Sequence, residues 1–162
     1  MAGSDPAAAG RLARISQLCA DYARAIDDDR LEEWPEFFAE ECLYKITSAD
    51  NYRRRLEAGL VYADSRGMLR DRVTALRRAN IYERQTYRHL VGLPAVLGEA
   101  DGAVRAETPF LVVRIMRSGA MDLFATGRYI DAVVEEAGAL RFRERIVVCD
   151  SGRVDTLLAL PL

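Results

Sequence analysis

Residues Val104 to Asp150, VRAETPFLVVRIMRSGAMDLFATGRYIDAVVEEAGALRFRERIVVCD, decide the fold. Apolar and polar residues alternate along Val104 to Met116, Met121 to Val134 and Leu140 to Asp150. That period of two belongs to strands with one buried face. Tyr87 to Leu97 alternates in the same way, and Asp101-Gly102, Ser118-Gly119 and Ala137-Gly138 punctuate the runs as turns. Four long antiparallel strands are predicted, with a last strand near Thr156 to Leu160.

Toward the N-terminus the period changes. Leu12, Ile15, Leu18, Cys19, Tyr22 and Ile26 recur at spacings of three and four and predict an amphipathic helix ending in Asp27-Asp28-Asp29. A short helix is predicted over Leu31 to Phe38, with Pro35 tolerated in its first turn. Cys42 to Ser48 reads as a strand, Asn51 to Glu57 as a charged connector, and Leu60 to Ala63 as a short extended run. Asp64 or Ser65 can cap a further helix. On that helix Met68, Leu69, Val73, Leu76 and Ala79 share an apolar arc, while Arg66, Arg70 and Arg77 form a basic ridge. Residues 1–10 read as a mobile tail and 11–162 as one domain. Helices followed by a meander of long strands make an α+β domain, a cone in which helices cover one face of a curved sheet.

Bulk composition narrows the function. The net charge of -2 in 162 residues, with no recognised binding motif, argues against nucleic acid, and no apolar run approaches the ~20 residues that span a bilayer. Cys19, Cys42 and Cys149 are far apart and odd in number, as expected of buried thiols in a reducing cytoplasm. His89 is the sole histidine, which excludes a 2-His-1-carboxylate iron or a Rieske cluster within this chain. Neither a catalytic nor a metal or cofactor site is expected here: there is no phosphate-binding glycine loop, no nucleophile elbow and no C-x-x-C pair.

Two chemical readings of the residues stay open. If the cone is an enzyme pocket, its acid and base come from Tyr22, Asp27, Tyr44, Tyr62 and His89, the equipment of a stand-alone dehydratase or isomerase. Otherwise the charge layout suits a protein contact. Acids crowd Asp27 to Glu41, and Asp64 to His89 carries seven arginines. Arg66, Arg70, Arg77, Arg78, Tyr82, Tyr87 and His89 are then the expected contacts with a neighbouring subunit. Arg72 on an apolar arc, and Glu144 in line with Leu140, Phe142, Ile146 and Val148, are expected to form a buried ion pair, since a lone buried charge costs several kcal/mol. Arg141, Arg143 and Arg145 are expected on the opposite face of their strand.

WPEFF at Trp34 to Phe38, GLVYADSRGMLRDRVTALRRANIYE at Gly59 to Glu83, TPFLVVRIM at Thr108 to Met116 and RERIVVCDSGRVDTLLALPL at Arg143 to Leu162 carry a resemblance. Together they resemble the small (β) subunits of Rieske-type aromatic-ring-hydroxylating dioxygenases. The WPEFF, GLVYADS and LLALPL blocks look most like the terephthalate branch, with salicylate- and anthranilate-type subunits as related alternatives. The resemblance implies a nuclear-transport-factor-2-like cone and a noncatalytic, cytoplasmic role in an α3β3 hexamer. The large (α) subunit would hold the Rieske [2Fe-2S] cluster and mononuclear Fe(II). A separate reductase would deliver electrons from NADH, and the product would be a cis-dihydrodiol.

Overall fold

A computed structural model describes residues 5–79, 85–153 and 160–162. Helix α1 runs Pro6–Asp27 and turns Ile15, Leu18, Cys19, Tyr22 and Ile26 into the core. It starts well inside the stretch expected to be a tail. Asp5 caps it, its carboxylate accepting from the Ala7 N–H at 3.0 Å, and Pro6 sits where a missing N–H costs nothing. The predicted helix over Leu31 to Phe38 is instead a single 3-10 turn, Trp34–Phe37. Phe38 already takes an extended conformation, because it opens the next strand and lies opposite Phe142.

That strand, β1 (Phe38–Ser48), leads through α2 (Ala49–Arg53) to β2 (Val61–Ala63) and α3 (Arg66–Arg78). Ser65 is the α3 cap, accepting from the Met68 N–H at 3.2 Å. The buried arc of α3 is narrower than its sequence suggests: Leu69 and Val73 are buried, while Met68 is exposed.

Five more strands follow: β3 (Gln85–Val91), β4 (Ala95–Ala100), β5 (Ala103–Met116), β6 (Met121–Glu136) and β7 (Ala139–Cys149). They join β1 and β2 in one sheet of order β2-β1-β7-β6-β5-β3, with β4 also on β5. Only the β1–β7 pairing is parallel among the described ladders. The single run expected over Tyr87 to Leu97 is two strands, each paired to a different half of β5. The break falls at Gly92, whose N–H donates to the Pro109 carbonyl at 2.8 Å. A Cβ there would lie 2.7 Å from the Pro109 ring. The β4–β5 and β6–β7 turns have left-handed backbone at both central residues, φ 54° and 73° at Asp101-Gly102 and 51° and 80° at Ala137-Gly138, the primed-turn geometry that matches strand twist. The expected strand near Thr156 falls outside the described residues except for Leu160.

The inner face of the sheet, under α1 and α3, is filled. Trp34, Phe38, Tyr44, Tyr22 and Phe142 pack edge-on or tilted with ring centroids 5.1 to 6.2 Å apart, the arrangement aromatic quadrupoles favour. The main-chain oxygen of buried Leu162 accepts from the Tyr22 hydroxyl at 2.6 Å and the Tyr44 hydroxyl at 3.1 Å. Leu160 and Leu162 are therefore part of the core.

Candidate functional site

The basic ridge of α3 is already occupied from within the chain. Arg77 Nε donates to Glu32 Oε1 at 2.7 Å and its Nη1 to Asp29 Oδ1 at 2.8 Å. Arg70 pairs with Glu36 at 2.8 Å, and Arg66 binds Glu40 at 3.1 Å and the Phe38 carbonyl. Hydrogen bonds from Arg77 and Arg70 hold the Glu32 and Glu36 carboxyls below the usual range, and those same acids raise the pKa of both arginines. The acid-rich segment and the arginine-rich segment are thus partners of each other, which removes the main reason to aim Arg66, Arg70 and Arg77 at another chain. Of the other expected contacts, Arg78 is exposed and Tyr82 lies outside the described residues. Tyr87 and His89 are buried, because β3 alternation points residues 87 and 89 inward and Thr86, Arg88 and Leu90 outward.

His89 has a specific inward partner. Its Nδ1 lies 2.6 Å from Asp27 Oδ1, and its own backbone N–H donates to Asp27 Oδ2 at 2.8 Å. Both side chains are withdrawn from solvent. Because the carboxylate takes Nδ1–H, the tautomer follows, and the end of α1 is tied to strand β3. Such a pair resembles an oriented base, but the other proposed acid-base groups do not converge on it. Tyr22 and Tyr44 spend their hydroxyls on Leu162, and Tyr62 is exposed on β2.

The group that sequence reasoning placed on the wrong face is Arg145. Ala132 and Val133 of β6 lie opposite Glu144 and Phe142, leaving Arg143 as the extra residue of a bulge in β7. Beyond it the alternation reverses, so Arg145 turns into the core and Glu144 turns out. Arg145 makes a two-pronged pair with Asp131, at 2.9 and 2.8 Å, with both side chains fully buried. Its guanidinium carbon lies 3.8 to 4.3 Å from the ring centres of Phe142, Tyr129 and Tyr22. Burial works against the Arg145 charge, but Asp131 more than offsets it and holds the pKa well above the ordinary value. Glu144 pairs with Arg105 at 3.8 Å on the outer face, and Arg72 is half-buried on α3. The buried pair expected at Arg72 and Glu144 is corrected to Arg145 and Asp131. Nothing in the local pattern announces a bulge, so the shift of phase could not be read from it.

The donor set does not fit an iron site. No three His, Cys, Asp or Glu side chains cluster as ligands among the described residues, and the single imidazole has one nitrogen committed to Asp27. The cysteines are buried and free, and burial raises the Cys42 and Cys149 thiols to about 11, far from the reactive thiolate range.

Residues 21–156 match the family model for the ring hydroxylating beta subunit. The chain belongs to that family. This beta subunit is 49% and 50% identical, over 149 residues, to subunits beta 1 and beta 2 of the terephthalate 1,2-dioxygenase terminal oxygenase component of Comamonas sp.. Each alignment covers 92% of this chain and 97% of the relative. Among solved structures, the beta subunit of an aromatic-ring-hydroxylating dioxygenase from Novosphingobium aromaticivorans superposes with a TM-score of 0.88 at 36% identity, covering 96% of this chain and 99% of that one. ActVI-ORFA of Streptomyces coelicolor, at 18% identity and a TM-score of 0.69, shares the fold alone. The beta subunit is thus an α+β cone of the nuclear-transport-factor-2-like type, and the dehydratase reading is not favoured.

Proposed function

We propose that this beta subunit is the noncatalytic scaffold of a terephthalate-type 1,2-dioxygenase, assembled in the cytoplasm as an α3β3 hexamer. The identity of about half of the 149 aligned positions to the two Comamonas beta subunits carries the reading. The residue inventory supports it: a chain with one histidine leaves the Rieske cluster and the mononuclear iron to the large subunit. There, electrons from NADH, passed on by a reductase, would join O2 to an aromatic dicarboxylate as a cis-dihydrodiol, with NADH oxidised and one proton taken up. For subunit contact the outer face of β3, β5 and β6 is better suited than the paired ridge of α3. Leu90 opposite Leu111, Leu123 opposite Val113 and Met121 opposite Ile115 form apolar rows there, and Leu90, Leu123 and Met121 are exposed.

Co-expression with a large oxygenase chain bearing C-x-H and C-x-x-H pairs tests this. The expected result is a brown complex that, given reductase and NADH, turns over terephthalate at least ten-fold faster than anthranilate or salicylate. A preference for another ring overturns the substrate. A colourless beta subunit that alone dehydrates or isomerises a hydroxylated aromatic overturns the scaffold role.

A further inference from the structure

On the outer face of the sheet, opposite α1 and α3, helix α2 and the connector after it fold over β1 and β7 and leave a cleft of about 490 Å³. Its lining is Lys45, Arg53 and Arg55 with Tyr52, Leu56, Glu57 and Ile146. Three cations and one acid line it, in a chain whose net charge is negative.

Elsewhere the arginines are largely neutralised in place. The cleft at the start of α1 has Arg11 on Glu99 at 2.7 Å and Arg14 on Glu135 at 2.9 Å. Even Arg54, between the two arginines of interest, pairs with Asp50 at 3.6 Å. Among the described residues no ion pair engages Lys45, Arg53 or Arg55, although Glu57 lines the same cleft.

The cleft is also held in shape. Lys45 Nζ lies 3.5 Å from the Leu56 carbonyl, and the Lys45 stem passes so close to Gly59 that a Cβ there would be 3.0 Å from Lys45 Cε. Arg55 has left-handed backbone, φ 54°, a conformation rare for a side chain of its kind. The loop that imposes it is tied by the Arg55 N–H on the Tyr52 carbonyl at 3.1 Å and the Leu56 N–H on the Asn51 carbonyl at 3.0 Å. From the sheet side, Arg128 sits 5.9 Å over the Tyr52 ring while pairing with Glu107 at 3.3 Å.

We propose that this cleft is a binding site for a small organic anion, an aromatic carboxylate, whose carboxylate pairs with Lys45, Arg53 and Arg55 and whose ring lies against Leu56, Ile146 and Tyr52. The cations supply charge-assisted hydrogen bonds of the kind carboxylates take from arginine forks. The volume is that of a small-molecule site, and the apolar lining sets an aromatic acid above a bare inorganic anion. The proposal goes beyond the scaffold role without depending on which ring the oxygenase attacks.

The test is calorimetric titration of the full-length beta subunit with sodium benzoate and with inorganic phosphate. Benzoate is expected to bind at least ten-fold tighter than phosphate and to weaken as salt rises. Both the K45Q/R53Q and the R53Q/R55Q variants are expected to lose at least ten-fold in affinity while melting at the wild-type temperature. Repeated on the assembled oxygenase, the titration should keep one variant-sensitive benzoate site per beta subunit. Equal affinity for the two anions, or wild-type affinity in both variants, overturns the proposal. So does loss of the variant-sensitive site on assembly, since the cleft would then be a contact for a partner's acidic side chains. An oxygenase that prefers a different ring overturns the substrate assignment and leaves the titration of the beta subunit unaffected.

Discussion

At Arg145 a full positive charge is taken out of water between Tyr22, Tyr129 and Phe142. Asp131 supplies the compensating charge, and the two-pronged geometry is what a guanidinium and a carboxylate achieve best. Breaking such a pair from one side leaves a buried charge without compensation, which costs about 3–5 kcal/mol, whereas apolar replacement of both partners is often neutral. Arg145→Met is therefore expected to lower unfolding stability by about that amount, and Arg145→Met with Asp131→Leu to recover most of it, measured by urea denaturation. If the double variant is no better than the single, the pair is not the source of the cost. The same residue shows where sequence reading stops. Arg145 lies in a row with Arg141 and Arg143 in the sequence, and only the extra residue at Arg143 turns it inward. His89 is a similar case: its isolation in sequence was legible, its partner Asp27, 62 positions away, was not.

At the scale of elements, the decisive relation is that between α3 and the acidic segment after α1. Glu32 and Glu36 have pKa values lowered by their arginines, so they contribute stability above the unfolded carboxyl value of about 4.3 and lose it as pH falls through the lower folded value. Both pairs are well exposed, and solvent screening keeps the Glu32–Arg77 pair to at most about 1 kcal/mol. Arg77→Gln is expected to destabilise by about 0.5–1 kcal/mol at pH 7 and by far less at pH 3, with the pH 7 effect shrinking in high salt. Urea melts at the two pH values measure this, and an equal loss at both assigns the effect to packing of the Arg77 stem. The elements themselves were largely legible. Alternation located β5, β6 and β7, and Ser65 marked the start of α3. What periodicity could not supply was the interruption at Gly92, which exists because Pro109 of another strand crowds it, and the 3-10 turn at Trp34, which is short because Phe38 must pair with β7.

For the whole molecule, α1 and α3 fill the inner face of the sheet, α2 covers part of the outer face at β1 and β7, and the outer face of β3, β5 and β6 exposes apolar side chains. The exposed rows Leu90, Leu123 and Met121 on the outer face are apolar surface that water would rather not hold. Replacing Leu90 and Leu123 together by Glu is expected to leave the beta subunit folded, since neither is in its core, and to cut recovery of the oxygenase complex at least ten-fold. Circular dichroism of the purified variant and size-exclusion chromatography of the co-expressed pair measure the two effects. Wild-type recovery would move the interface elsewhere on the surface.

Composition and local pattern alone determined the α+β class, the order of the long strands and the exclusion of an iron site, because each follows from residue counts or from a period of two or four. The sequence blocks also carried the family resemblance that the comparisons bear out. The tertiary structure decided which charges meet. Arg77 with Glu32, Arg145 with Asp131 and His89 with Asp27 are pairs made by packing between elements, and the same packing gathers Lys45, Arg53 and Arg55 at one cleft. Charge pairing depends on distances of a few ångströms across the fold, and a single bulge is enough to exchange the buried and exposed faces of a strand.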